Sequence, residues 1–297
     1  MHFGIQVLQY TLSGITIGSI YAMVAVGFNI IYNATGIINF AQGEFVMLGG
    51  MLAVYLHRKL GIPLYLITPA SAIGVSIIGL LLERFAIHPL KNPSVITLII
   101  ITIAASILFK GGAMFIWGKE TYILPSFSGD KPIYLLGATI LPQTLWILGF
   151  LFLIYTLLMF FFRYTMVGKA MKACAYNRRA AEIVGINVNR MVLLSFGISA
   201  LIGGIAGVIA TPITLVNYDR GSLLGLKGFG TAVLGGLGNI GGAVSAGLII
   251  GILESYSAGM LSSGYKDAVA LVILLLVLYF KPGGIFGRKE EQQLKIF

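Results

Sequence analysis

The first 43 residues of the chain contain no Asp, Glu, Lys or Arg. A run of that length cannot cover a soluble domain, in which about 25% of residues are charged. It suits a helix crossing a bilayer, where about 20 consecutive apolar residues span the hydrocarbon core. The rest of the chain repeats the pattern: 58% of the 297 residues are hydrophobic and only 10% charged. This excludes an ordinary cytosolic enzyme, a disordered chain and a nucleic-acid-binding domain. The excess of 20 Lys and Arg over 10 Asp and Glu is then read as a signal for orientation in a membrane. The apolar start lacks a basic n-region and a cleavage site, so it reads as a retained first span rather than a signal peptide.

Helical spans are predicted at 7–31, 38–56, 64–82, 95–117, 141–162, 191–213, 248–259 and 268–280. The stretch 222–242 is apolar but interrupted by glycines, and reads as a short crossing or a re-entrant element. Either way it is a candidate pathway wall, because non-helical backbone at membrane depth needs protein or a water-filled cavity around it. The expected fold is an all-α polytopic bundle of eight or nine membrane segments, one of them Gly-rich and broken, forming a single domain over 1–297. Between 163 and 190 six bases, Arg163, Lys169, Lys172, Arg178, Arg179 and Arg190, face the single acid Glu182, which assigns this loop to the cytoplasm. By span parity Arg84 and Lys91 share that side and the 118–140 loop falls outside. Arg58 and Lys59 conflict with the rule, since parity places them outside. The basic tail, with Lys281, Arg288, Lys289 and Lys295, belongs in the cytoplasm, and the N-terminus then lies outside.

Gly236, Gly238 and Gly241 match the dinucleotide spacing G-x-G-x-x-G, but that fingerprint needs a strand and a soluble βαβ unit. Helix packing and a chain break explain these glycines better. Pairs at Gly14 and Gly18, Gly203 and Gly207, and Gly247 and Gly251 have the small-xxx-small spacing that lets membrane helices approach closely. The sequence has no P-loop, no H-E-x-x-H and no nucleophile elbow, and its one cysteine, Cys174, makes neither a disulfide framework nor a metal cluster. No cofactor or catalytic residue is implied. Ionisable groups within spans cost about 2.5 to 3.5 kcal/mol each at mid-bilayer and so are functional candidates. Glu44 lies in an unusually polar helix opening with Asn39, Gln42 and Gly43. These four, with Gly235, Gly236 and Gly238, are the candidate translocation pathway; the competing reading of Glu44 is a wet interfacial helix start. Lys110 and Glu254 read as snorkelling groups near the outer interface, with an ion pair between them an open alternative. An ion-coupled secondary transporter would need buried acids in broken helices, and Glu44 with the Gly-rich stretch is the nearest feature to that.

The loop from 163 to 190 has good helix formers, a central Asn and a closing Gly at a C-cap position. Its alanines give a thin surface suited to a partner's groove, the plainer reading being a basic loop that only fixes topology. The pattern G-x-A-x-x-A-x-x-x-N-x-x-A-A-x-x-x-G-I, carried by Gly168, Ala170, Ala173, Asn177, Ala180, Ala181, Gly185 and Ile186, resembles the cytoplasmic coupling segment of ABC importer permeases. With the I-N-F-A-Q-G-E opening around Glu44, the T-A-V-L-G-G-L-G-N-I-G-G-A stretch and the ending K-P-G-G-I-F-G, the chain is similar nearly end to end to the H-type permease subunits of bacterial high-affinity branched-chain amino acid importers. That resemblance implies a multi-pass subunit of the bacterial inner membrane. Its expected partners are the lipid bilayer, a second related permease, two cytoplasmic ATP-binding subunits and a periplasmic or lipid-anchored solute-binding protein. Leucine, isoleucine or valine is the implied substrate; relatives import urea, short amides or other amino acids. Some members carry His where this chain has Gln42, so no proton relay is assigned to that position.

Overall fold

A computed structural model describes residues 2–90 and 94–287. Lys91, Arg288, Lys289 and Lys295, on which the orientation reading also draws, lie outside the described residues. The chain opens with α1 (His2–Thr35), 34 residues long. Its side chains are apolar on every face, and a helix apolar all round is stable only when enclosed. Accordingly 89% of its span is buried and every residue from Ser19 to Ile31 is out of contact with the surroundings.

Around this axis stand α2 (Gln42–Leu60), α3 (Leu64–Leu82), α4 (Val95–Trp117), α5 (Pro142–Tyr164), α8 (Val188–Thr214), α9 (Arg220–Gly235), α10 (Ile240–Met260) and α11 (Lys266–Phe280). The short helices α6 (Met166–Tyr176) and α7 (Arg178–Ile183) lie between α5 and α8. The closest seam joins α1 to α10. Gly14 and Gly18 meet the backbone of Gly251 and Gly247, so any side chain there would strike main chain. This is the close approach that small-xxx-small spacing permits. By contrast only 17% of the α4 span and 28% of the α5 span are buried within the chain, which makes these outer helices of the bundle.

Among the described residues six helices are long and apolar enough to cross a membrane: Phe3–Thr35, Leu64–Ile87, Val95–Trp117, Pro142–Tyr164, Val188–Thr214 and Ile240–Met260. The remaining expected segments are shorter or more polar. Helix α2 carries Glu44 in its first turn and His57, Arg58 and Lys59 in its last. At 16 residues α9 is about 24 Å long against a hydrocarbon core of about 30 Å. The stretch 222–242 therefore folds as helix through Gly235, a turn at 236–239, and the start of α10. Non-helical chain runs from 36 to 41, so α2 starts four residues later than the expected 38; Gly36 is exposed, while Asn39 and Ala41 are buried. Two backbone N–H groups of the segment have side-chain partners: Phe40 N–H donates to Thr102 Oγ1 and Ala41 N–H to Asn39 Oδ1.

The all-α expectation needs one correction. In the 118–140 loop, Gly137 with φ of 88° closes a two-stranded hairpin of β1 (Ile133–Leu135) and β2 (Ala138–Ile140). Gln9 at the start of α1 grips Thr139 of β2 through both its amide atoms. Arg58 also belongs to this end, stacking 5.7 Å over Tyr122 and donating to the Ile123 carbonyl. Those contacts hold its charge beside the loop to which parity assigns it. At the opposite end, the 281–287 turn packs on the 236–239 turn, Ile285 N–H donating to the Leu234 carbonyl and Asn239 Nδ2 to that of Phe286.

Candidate functional site

Helix α2 begins inside the bundle, and its first turn carries the polar cluster. Glu44 is 1% exposed, so it is not a wet interfacial residue. Ser106 of α4 and Ser222 of α9 both donate to its Oε1, at 3.0 and 3.1 Å, while Oε2 has no hydrogen-bond partner. That free oxygen faces Gly221 of α9, where a methyl group would collide with the carboxylate. Gly43 meets the backbone of Gly221 and Gly225, so the first turns of α2 and α9 cross glycine against glycine. Each first turn carries the positive end of a helix dipole, which favours an anion there. Lys110 of α4 is bonded to Asp219, the residue preceding α9. Lys110 does not pair with Glu254.

The other residues expected to line a pathway take different places. Gln42 is fully buried and joins three helices: the Ser199 hydroxyl of α8 lies 2.6 Å from its Oε1 and 2.7 Å from the Gly27 carbonyl of α1, one proton serving both. Asn39 caps the 36–41 segment, and its Nδ2 is buried without a partner. Gly235, Gly236 and Gly238 lie elsewhere, at the end of α9. Gly235 packs on the backbone of Gly242, and Gly236, with φ of 94°, on Gly283 and Gly287. Gly238 is held by α1, its N–H donating to Asn29 Oδ1 and its carbonyl accepting from Asn33 Nδ2. The structure does not bring these glycines together with Glu44. Asn29 and Asn33, one helical turn apart, went unnoticed in sequence because their partners lie more than 200 residues away.

A second polar cluster was also missed. Lys227 of α9 donates to Glu254 Oε1 of α10 at 2.8 Å and to the Tyr21 hydroxyl of α1 at 2.9 Å, and Tyr21 donates to Glu254 Oε2 at 2.8 Å. Glu254 is thus an interior ion-pair partner rather than a snorkelling group. Glu254 and Glu83 are buried carboxylates as well as Glu44.

Between α5 and α8 the helix formers of the 163–190 segment make two short helices, α6 and α7, separated at the central Asn177. Thr165 caps α6 through the N–H of Gly168, which abuts the Phe161 and Phe162 backbone at the tight corner from α5. Asn177 breaks the helix by capping α7, its Oδ1 accepting from Ala180 N–H. Gly185, at φ of 87°, terminates α7, and Ile186 N–H returns to the Ala181 carbonyl. Ala181 is buried and Ala170 and Ala173 half-buried, leaving Ala180 as the exposed one of the four alanines. The outward surface is instead Tyr176, Ile183 and Val184, at 72%, 86% and 75% exposure, among Arg178 and Arg179. Burial pushes the Cys174 thiol on the inner face of α6 above its usual range, keeping it neutral.

Comparison with known proteins adds to this geometry. Residues 10–278 match the family model described as a branched-chain amino acid transport system permease component. The chain is 35% identical to the high-affinity branched-chain amino acid transport system permease protein LivH of Salmonella typhimurium, with 97% of each chain covered. It is 33% identical to the corresponding protein BraD of Pseudomonas aeruginosa, over 97% of this chain and 98% of that one. The ribose import permease protein RbsC of Escherichia coli is 25% identical over 88% of this chain and 82% of its own. Among solved structures, PsaBC from Streptococcus pneumoniae in complex with Fab superposes with a TM-score of 0.54, covering 97% of this chain and 95% of that one. At 14% identity that likeness speaks for the fold alone.

Proposed function

The chain belongs to the family of branched-chain amino acid transport system permease components, and on that premise we propose how it works as the membrane-spanning subunit of an ABC importer. Leucine, isoleucine and valine cross the bacterial inner membrane through a bundle formed by this chain and a second, related permease. Two cytoplasmic ATP-binding subunits supply the energy and a solute-binding protein delivers substrate from outside. The end bearing the hairpin faces outward, and α6, α7 and the C-terminal turn face the cytoplasm, which puts the bases between Arg163 and Arg190 on the side the positive-inside rule requires.

The observation that carries this reading is the exposed apolar surface of Tyr176, Ile183 and Val184, set among Arg178 and Arg179, in a family of transport permeases. Apolar side chains ringed by bases suit a protein groove with an acidic rim. Force applied there has a direct route inward. Helix α7 is tied to the start of α8, and 11 residues along α8 Ser199 holds Gln42, two positions from Glu44. A tilt of α8 driven by ATPase closure is passed to the polar opening of α2 and switches the pathway between outward and inward access.

Replacing Tyr176 and Ile183 by Asp tests the reading. Uptake by the assembled transporter should fall at least about tenfold, as on losing a central anchor of an interface. Membrane insertion and thermal stability should stay near those of the parent, because both side chains are exposed. Normal ATP-driven uptake in this variant would overturn the docking assignment. Uptake that continues without ATPase subunits would favour a secondary transporter, and a wild-type complex that moves urea or an amide but no branched-chain amino acid would reassign the substrate.

A further inference from the structure

The polar cluster on α2 has an opening in its bonding that the helix packing does not fill. Glu44 is buried to 1%, yet Oε2 has no partner, and among the described residues no base forms an ion pair with it. The nearest ammonium, that of Lys110, is engaged by Asp219. Two hydroxyls on Oε1 and the first turns of α2 and α9 support the charged form of the carboxylate without neutralising it. A metal ion does not fit: no group of three His, Cys, Asp or Glu able to hold one occurs among the described residues.

We propose that Glu44 is the substrate-ammonium site of the permease, taking the primary ammonium group of an aliphatic α-amino acid as it passes between α2, α4 and α9. An ammonium has three N–H donors. One is directed to Oε2, and the Ser106 and Ser222 hydroxyls, whose own protons go to Oε1, offer oxygen lone pairs to the other two. Ser222 is exposed and Ser106 half-buried, so the ligand reaches the carboxylate from the Ser222 side once α9 slides at its glycine contact with Gly43. The half-buried rings of Phe40, Phe229 and Phe109 provide apolar surface for an aliphatic side chain. The site explains why a carboxylate stands there at all: a sugar or an amide has no cation to offer it.

This inference rests on the importer reading, and the experiment separates the two. The complete transporter, with its ATPases and binding protein, is reconstituted in liposomes and compared with E44Q. Glutamine retains the size and one carbonyl acceptor for both hydroxyls but loses the charge. Leucine uptake by E44Q should fall about tenfold or more, the worth of a hydrogen bond to a charged group, while ATPase stimulation by the loaded binding protein stays within about twofold. E44D, which keeps the charge on a shorter arm, should recover part of the uptake with a raised KM for leucine. Should E44Q fail to assemble, E44D decides alone, an unchanged KM counting against the proposal. Uptake by E44Q at the parental rate overturns the ammonium site and leaves the importer standing. A wild-type complex that moves no leucine, isoleucine or valine overturns the branched-chain substrate of the importer reading instead.

Discussion

Helix α9 touches two buried carboxylates, and they are held in opposite ways. Midway along it, Glu254 is closed into a triad in which both oxygens have partners, Lys227 on one and Tyr21 on the other. At its first turn, Glu44 has hydroxyls on one oxygen, no hydrogen-bond partner on the other and, among the described residues, no ion pair. Burying a charge is expensive in both places. In the first the chain supplies the counter-charge itself and thereby fastens α9 to α1 and α10. In the second the counter-charge is left for something that arrives. The contrast separates a fixed part of α9 from a part able to engage and release a ligand.

Breaking the fixed part should have the largest effect. Glu254→Leu leaves Lys227 enclosed without its carboxylate, and loss of one partner of a buried pair costs about 3 to 5 kcal/mol. The variant should accumulate poorly and melt well below the parent in a thermal assay in detergent. Adding Lys227→Met should restore much of that loss, since apolar replacement of a whole buried pair is often close to neutral. If the double variant were no better than the single one, the triad would not be a pair in the sense argued here. A smaller effect is expected at the crossing of α2 and α9. Gly221→Ala introduces a methyl group against the Glu44 carboxylate and should cost about 1 to 3 kcal/mol, the range for overpacking. It should lower leucine uptake further than its melting temperature suggests, because it presses on the unpartnered oxygen assigned to the ammonium. The smallest effect belongs to the exposed pair. Lys110→Gln removes a partner of Asp219 at a site that is 36% and 56% exposed, worth under about 1 kcal/mol. A loss of several kcal/mol in the melting assay would place Lys110 among the fasteners instead.

Much of the bundle was legible from the length of the uncharged runs, because a bilayer imposes span length directly. The polar opening at Asn39, Gln42 and Glu44 was legible too, since polar residues at such spacing are unusual at the start of an apolar helix. What stayed hidden depended on pairing. Lys227 looked like one charge in a Gly-rich stretch, and nothing local ties it to an acid 27 residues on or to a tyrosine more than 200 residues back. Asn29 and Asn33 were likewise silent inside a long apolar helix. In the 163–190 segment the helix formers were read correctly as helix, but Asn177 acted as a cap rather than a helical residue. Side-chain capping there satisfies an N–H group that a continuous helix would bond through its backbone. Of the alanines only Ala181 is turned fully inward, and the bulky Tyr176, Ile183 and Val184 form the outer surface.

The hold of Asn29 and Asn33 on the turn at 236–239, and of α10 on the glycines of α1, also governs how the protein is made. Synthesis proceeds from the N-terminus, so α1 reaches the membrane first while its seam partners are still untranslated. Until α10 arrives, the Gly14 and Gly18 face and two side-chain amides lack their eventual partners, and the membrane offers the amides little to bond with. Chains cut short before the 236–239 turn would keep that face and those amides without their partners permanently.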